Sequence, residues 1–305
     1  MAIATALPAI PALLALAFTA VTISQAADTL KLSQRDQIAS DYNDTVANLG
    51  DKSVNVRTSA IFAIQRIMRD SPRDQPALVQ ILVSYVRDHA KMPSNKQAEQ
   101  LRKDEKSRPA DDVQAALDVL GSRELNAEAD PVIDLRNTFL VGATLGGSGF
   151  YDADLRDTDL TRADLRDGSF EKVWFDNARM SGSLLSNGTF SEASFTNANL
   201  KNVWWDGASF TDADLTGADL TGADYFDQEG GEILNLTLAD MSGVNLTDAN
   251  LTGAYAAGVD FSGDPSQNIP AAILTRTNLT NAELRGAHLK GTDQRTAIWE
   301  GANLP

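Results

Sequence analysis

A five-residue period runs through the second half of the chain. Nineteen consecutive positions at this spacing, from 135 to 225, hold large and mostly apolar residues. With 43% of all residues apolar, chance would produce such a run with a probability on the order of 10⁻⁷. The period therefore reflects a repeated structural unit. Its positions are Leu135, Leu140, Leu145, Phe150, Leu155, Leu160, Leu165, Phe170, Phe175, Met180, Leu185, Phe190, Phe195, Leu200, Trp205, Phe210, Leu215, Leu220 and Tyr225.

The residues around each central position describe a short strand and a corner. Two positions earlier the residue is mostly Ala or another small or β-branched residue, and in extended chain it shares a face with the central one. Two positions later, sixteen of the nineteen residues are Gly, Asn or Asp, which adopt corner conformations at little cost. The exceptions are Arg162, Lys172 and Glu192. A strand and a corner every five residues predict a coil that stacks on itself.

The number of sides of this coil follows from a longer spacing. Phe150, Phe170, Phe190 and Phe210 recur every twenty residues. Four five-residue units per turn would place these rings in one stacked column, whereas three or five units would scatter them. We therefore expect four sides.

Several of these units resemble a known repeat. The A-(D/N)-L-x-x pattern is similar to the signature of pentapeptide-repeat proteins, and it occurs at 153–157, 213–217, 218–222 and 249–253. The resemblance implies a right-handed quadrilateral parallel β-helix over residues 131–305, and thus an α+β chain whose helices come first. The order of an apolar segment, a helical stretch and repeats also looks like that of membrane-linked pentapeptide proteins of actinobacteria.

Two shifts interrupt the period. A second run extends from Leu236 to Phe261 and a third from Leu274 to Leu304, with Ala256 and Gln294 as defects. The first shift predicts one extra residue near Gly230, and the second predicts three extra residues at 264–270. Together the runs predict 32 units, or eight turns.

The amino-terminal segment is apolar. Residues 2–23 carry no charge, and as a helix they would extend about 33 Å, enough to cross a bilayer core of about 30 Å. Lys31 and Arg35 follow this segment, so the positive-inside tendency places the rest of the chain in the cytoplasm. We therefore expect a membrane anchor within residues 1–27. A cleaved signal peptide, which would make the protein secreted, is the alternative.

Residues 28–130 show helical spacing of their apolar positions. The pattern predicts either a small HEAT-like stack or an ordinary helical bundle. Residues 91–111 are polar and lack periodic apolar residues, which predicts a mobile loop. A last helix is expected from Asp111 to Leu120, and residues 111–130 are placed to cap the first turn of the coil.

Composition argues against several classes of function. The chain has no cysteine and only two histidines, His89 and His288, which excludes thiolate metal sites and leaves little for a catalytic triad. A net charge of −16 opposes direct binding to nucleic acid, which requires an excess of Lys and Arg. We therefore expect a protein that is not an enzyme and has no cofactor or metal.

The negative charge is concentrated in the coil and suggests an interaction surface. Between Lys201 and Arg276 lie twelve acidic residues and no basic one, which would attract a basic protein partner that the sequence does not identify. Gyrase-binding members of the resembled family use an acidic β-helix as a mimic of DNA, and this role is the alternative. The uncovered last turn also predicts a weak end-to-end homodimer. The candidate surface residues are Asp206, Asp212, Asp214, Asp219, Asp224, Asp227, Glu229, Glu232, Trp174 and Trp204.

Overall fold

The structure is a computed structural model, and it describes residues 42–125, 131–223, 239–266 and 269–304, with Thr22, Ser24, Gln25 and Thr29. The apolar segment 2–23 lies outside the described residues apart from Thr22. Within the described ranges, every helix is too short or too polar to traverse a bilayer. The predicted anchor therefore stays a prediction.

The amino-terminal domain is helical. Residues 42–48 are helical, and they are followed by α1 (Val54–Asp70), α2 (Gln75–His89), α3 (Asn95–Lys103) and α4 (Asp111–Gly121). Helices α1, α2 and α4 pack on one another through side chains that recur at helical spacing and are fully buried, among them Ile61, Ile64, Leu78, Leu82, Leu117 and Leu120. The helices expected from the apolar periodicity are therefore present.

A buried ionic network joins three of these helices. The Asp112 carboxylate of α4 accepts hydrogen bonds from the Arg57 guanidinium of α1 at 2.5 Å and from the Tyr85 hydroxyl of α2 at 2.6 Å. The pKa of Tyr85 is raised to about 12, mainly by burial and also by the hydrogen bond that its hydroxyl donates to Asp112. Burial alone would raise the pKa of Asp112, but the hydrogen bonds from Tyr85 and Arg57 hold it below its usual range.

The predicted mobile loop at 91–111 was wrong for its central part, because α3 occupies residues 95–103. Only Ala98 of this helix is fully buried, so no apolar period reveals it. Its Lys, Gln, Glu and Arg residues have good helix propensity. An ion pair across 57 residues, from Arg102 Nε to Asp159 Oδ2 at 2.5 Å, fastens the helix to the coil.

The carboxy-terminal domain is a coil with four sides per turn. Parallel bridges join residues twenty apart, beginning with Asp134 to Asp154, Phe139 to Asp159, Thr144 to Asp164 and Gly149 to Ser169. We call the sides that begin at these four first residues face 1, face 2, face 3 and face 4. Within the described ranges each side makes an isolated bridge rather than a longer strand, because the chain turns a corner every five residues.

The predicted phenylalanine column is confirmed. Phe150, Phe170, Phe190 and Phe210 are fully buried behind face 4. Their consecutive ring centroids lie 6.0, 5.3 and 5.1 Å apart, with interplanar angles of 1°, 8° and 14°. Phe190 also packs edge-on against Phe195 of the neighbouring column at 5.7 Å. The core of the coil is therefore a set of stacked side chains along its axis.

The corners adopt the left-handed backbone conformation. From Asn137 to Gly222 every fifth residue has positive φ, as the Gly, Asn and Asp preference predicted. The exceptions follow the same path, with φ of 57° at Arg162, 60° at Lys172 and 58° at Glu192. A long side chain has no local means of stabilising this conformation, so these corners are strained.

We expect Lys172→Asn to raise the free energy of unfolding by up to about 1 kcal/mol, because Asn occupies the left-handed region more readily than Lys. The lost contacts of the Lys172 ammonium, 5.6 Å from the centre of the Tyr151 ring and 3.7 Å from the Glu192 carboxylate, offset part of this gain. Chemical denaturation measures the difference. Lys290→Asn is the control because Lys290 is exposed and lies at no positive-φ corner. Equal or lower stability of Lys172→Asn would contradict the strain at this corner.

Both predicted insertions are larger than the sequence indicated. Ser209 bridges to Asp240, an offset of 31, and Asn245 bridges to Ile273, an offset of 28. The chain therefore adds eleven residues, not one, at the first shift, and eight residues, not three, at the second. An insertion of five or ten residues leaves the five-residue period in the same frame. The pattern therefore shows only the residues that an insertion adds beyond a multiple of five. Tyr225 and Leu236 lie outside the described residues, so the predicted count of 32 units stays a prediction.

The two ends of the coil differ. At the first turn, the Phe139 N–H donates to the carbonyl of Ala90, the residue after α2, at 2.7 Å, and the Gly149 N–H donates to the carbonyl of Gly121, the last residue of α4, at 2.8 Å. The Gln114 amide of α4 exchanges two hydrogen bonds with the Thr144 backbone, at 2.7 and 3.0 Å. At the last turn Ile298 and Leu304 are exposed. The helical domain therefore caps one end, and the end-to-end homodimer stays a prediction for the other.

Candidate interaction surface

The acidic residues of the coil first serve the coil itself. The residue before each central position is commonly Asp, and its carboxylate accepts a hydrogen bond from the N–H two residues later. Asp154 accepts from the Arg156 N–H at 3.2 Å, and Asp214 accepts from the Thr216 N–H at 3.0 Å. This bond satisfies a backbone donor at the corner. The Asn245 side-chain oxygen accepts the equivalent hydrogen bond from the Thr247 N–H at 3.1 Å. The bond therefore requires a carbonyl-type oxygen and not a charge.

The charge of these carboxylates is neutralised in the first part of the coil. Arg156 Nη2 lies 2.6 Å from Asp154 Oδ2, and Arg166 Nη2 lies 2.6 Å from Asp164 Oδ2. The hydrogen bond from the Arg166 side chain holds the pKa of Asp164 below its usual range. Each of these arginines comes from the same five-residue unit as its partner, so the first turns expose compensated ion pairs.

In units 213–217 and 239–243 the arginine is replaced by Thr216 and Ser242. The Thr216 hydroxyl donates to Asp214 at 2.5 Å, and Asp240 accepts from the Ser242 N–H at 2.9 Å and from the Thr211 hydroxyl at 3.1 Å. A hydroxyl satisfies the carboxylate but brings no positive charge. Within the described residues Asp206, Asp212, Asp214 and Asp240 have no cationic side chain within salt-bridge distance, and negative charge accumulates there.

The structure distributes the candidate acidic residues around the coil. Asp206 lies at the end of face 3, Asp214 on face 1 and Asp219 on face 2, while Asp212 lies at the corner between faces 4 and 1. Asp219 is paired with Lys201 at 3.0 Å and is therefore a weaker candidate than the other three. Four candidates lie outside the described residues, namely Asp224, Asp227, Glu229 and Glu232.

Comparison with known families agrees with this geometry. The model of the family described as pentapeptide repeats matches eight copies, over residues 133–167, 169–202, 193–224, 235–263 and 271–293. This chain carries a pentapeptide-repeat domain. Such repeats imply a right-handed β-helix, which agrees with the four-sided coil. The actinobacterial type suggested by the order of segments stays a prediction.

Solved structures with some similarity are also pentapeptide-repeat proteins. HetL from the cyanobacterium Nostoc, involved in regulation of heterocyst differentiation, is 26% identical, with 56% of this chain and 72% of HetL covered and a TM-score of 0.37. QnrB1, a plasmid-mediated fluoroquinolone resistance protein, is 17% identical, with 54% and 84% covered and a TM-score of 0.38. No curated protein matches the chain. Scores this low add nothing to the description of the fold.

The two exposed tryptophans lie on different sides of the pentapeptide-repeat domain. Trp174 is on face 1 and Trp204 is on face 3, so they do not form one aromatic patch. The Arg156 guanidinium lies 5.6 Å from the centre of the Trp174 ring. Trp204 is 46% exposed, and among the described residues no cation or aromatic ring contacts it. Trp204 is therefore the freer contact residue.

Asp240 is a residue that the candidate set omitted. It lies on face 4 between Ser209 and Asp260, and the Thr211 hydroxyl of the previous turn donates to it at 3.1 Å. Asp240 is one of the twelve acidic residues between Lys201 and Arg276. Because the frame of the repeat shifts before it, the sequence did not show that it lies between Ser209 and Asp260. Within the described part of the domain, no group of three or more acidic or histidine side chains is arranged to hold a metal ion.

Proposed function

We propose that the pentapeptide-repeat domain is a stiff, non-enzymatic scaffold whose uncompensated carboxylates bind a basic segment of a protein partner. The observation that carries this proposal is that Asp154 and Asp164 are paired with arginines, whereas Asp214 and Asp240, at the same repeat position in the middle turns, accept hydrogen bonds from Thr hydroxyls and have no cationic partner. Asp206, Asp212, Asp214 and Asp240 are the residues that bear the free charge. Such a field steers an oppositely charged partner and is weakened by salt.

We further propose that residues 2–23 anchor this scaffold to a membrane, with the coil in the cytoplasm. The support is the uncharged length of the segment and the position of Lys31 and Arg35 after it. Fractionation of the native host, followed by protease treatment of sealed vesicles, distinguishes this topology from secretion. Recovery of the protein in the culture medium would contradict the anchor.

A matched pair of variants tests the acidic surface. Asp214→Asn with Asp240→Asn removes two uncompensated charges and keeps the corner hydrogen bonds, because Asn245 and Asn250 already make them. The control, Asp164→Asn with Asp293→Asn, changes net charge equally at the same repeat position but removes carboxylates that arginines neutralise. Each full-length protein is used to capture partners from detergent-solubilised extracts of the native host.

We expect the first double variant to retain less than about a tenth of the captured partner, a loss of about 1.4 kcal/mol or more. The control should retain most of it, and capture by the unaltered protein should fall as salt is raised. Equal capture by the two variants would contradict the acidic surface. The alternative role as a DNA mimic is tested with the same proteins in a gyrase supercoiling assay, where inhibition lost only in the first variant would favour that role.

A further inference from the structure

A cleft lies where the helical domain meets the first turn of the coil. Its volume is about 240 Å³. The apolar part of its lining comes from both domains, with Leu101 and Val113 on the helical side and Phe139 and Val141 on face 2. The lining also includes the polar side chains of Gln97, Ser107 and Arg108, and Val113 and Val141 are almost fully buried, so the apolar surface that a ligand can reach comes mainly from Leu101 and Phe139. An apolar group gains by replacing water over that part of the lining. Since a water takes about 30 Å³, the cleft holds roughly eight groups of that size.

The cleft is held open by a strap, residues 91–110, that includes α3. The guanidinium of Arg162 on the coil donates to the carbonyls of Leu101 at 3.3 Å and Asp104 at 2.6 Å, and also to the Arg102 carbonyl. A Cβ at the Gly142 corner would collide with the Ser107 carbonyl oxygen, so the strap lies directly on the coil. The site is therefore preformed, which lowers the entropic cost of binding.

A cationic depression of about 610 Å³ lies beside the cleft. Lys106, Arg108 and Arg162 line it, against the single carboxylate of Glu105. Ser107 and Arg108 belong to the lining of both spaces, so the two are adjacent.

Among these cations Arg108 has the donors to bind an anion. Its contact with Asp111 is long, at 3.4 Å, and its side chain is 74% exposed, so most of its five N–H donors are available. Lys91, which also lines the cleft, is already paired with Asp88 at 2.7 Å. Arg108 is therefore the cation of the lining with available donors.

We propose that this cleft binds an amphipathic carboxylate with an unbranched tail of six to eight carbons. The tail lies among Leu101, Val113, Phe139 and Val141, and the carboxylate accepts hydrogen bonds from the Arg108 guanidinium at the mouth. This ligand site is separate from the acidic surface on the later turns of the coil.

Octanoate is the probe, and binding is followed by NMR of its ¹³C-labelled carboxylate in the presence of the full-length protein. Arg108→Gln removes the cation, and Leu101→Trp fills the apolar space. Arg166→Gln is the matched control, because it makes the same change at an arginine on face 3 that is distant from the cleft. Far-UV circular dichroism verifies that each variant is folded.

We expect saturable binding of octanoate, at least tenfold weaker in Arg108→Gln, absent in Leu101→Trp and unchanged in Arg166→Gln. 1-Octanol, which has the same tail and no charge, should compete at least tenfold more weakly than unlabelled octanoate. The proposal is overturned if octanoate does not saturate at millimolar concentration, if Arg108→Gln and Arg166→Gln bind alike, if Leu101→Trp still binds, or if octanol competes as well as octanoate.

Discussion

Replacement of Phe190 by alanine is expected to lower the free energy of unfolding of the coil by about 3–5 kcal/mol. Phe190 is fully buried and lies in the middle of the stacked column, between Phe170 at 5.3 Å and Phe210 at 5.1 Å. The corners above and below fix the backbone, so the walls cannot collapse into the space that the ring leaves. Denaturant unfolding followed by circular dichroism measures the loss.

The control for this prediction is Phe62→Ala. Phe62 lies in α1 and is 50% exposed, so the same truncation should cost less than about 1 kcal/mol. If Phe190→Ala were as stable as Phe62→Ala, the column would not be the core of the coil. Since the stability of a repeat array depends on contacts between neighbouring turns, a defect at Phe190 should also separate the unfolding of the two halves.

The second large effect is expected at Asp112. Asp112→Ala leaves the buried Tyr85 hydroxyl and the half-buried Arg57 guanidinium without their shared acceptor, and the cost of breaking a fully buried pair, about 3–5 kcal/mol, is the upper limit of the expected loss. The side chain of Asp112 is only 1% exposed. Asp111→Ala is the matched control, because Asp111 is the preceding residue and its side chain is 74% exposed. Thermal unfolding at 222 nm compares the two.

The same network predicts a dependence on acid. Because the pKa of Asp112 is lowered in the folded protein, its contribution to stability is present above the ordinary Asp pKa of about 3.9 and is lost as pH falls through the lowered value. Asp112→Ala should therefore lose less stability than the unaltered protein as the pH falls below the ordinary Asp pKa of about 3.9. Parallel acid unfolding curves for the two proteins would contradict this role.

The coil is the part of the fold that its sequence predicted best. The apolar, small and corner positions each obey one local rule, and the rule is repeated many times. The phenylalanine spacing then gave the number of sides. Even the unusual corners at Arg162 and Lys172 follow the same path, because a corner is imposed by its neighbours above and below.

The predictions that failed concern features without a local signal. α3 has almost no apolar face, and what fixes it is the contact of Arg102 with Asp159 across 57 residues. The insertions exceed their predicted sizes by whole units, which leave the frame unchanged. The candidate surface stays a prediction, and a sequence shows how many carboxylates it has but not that Lys201 neutralises Asp219.

The sequence by itself determined the four-sided coil, because the same backbone hydrogen bonds recur at every turn, as from the Leu135 N–H to the Asp154 carbonyl and from the Leu155 N–H to the Trp174 carbonyl, and a regular period with the right residue types produces that geometry. Tertiary structure alone decided that Lys201 neutralises Asp219, how the helical domain caps the first turn, and that a cleft remains beneath the strap. These features depend on contacts between residues far apart in the chain, and a contact that occurs once leaves no period to detect.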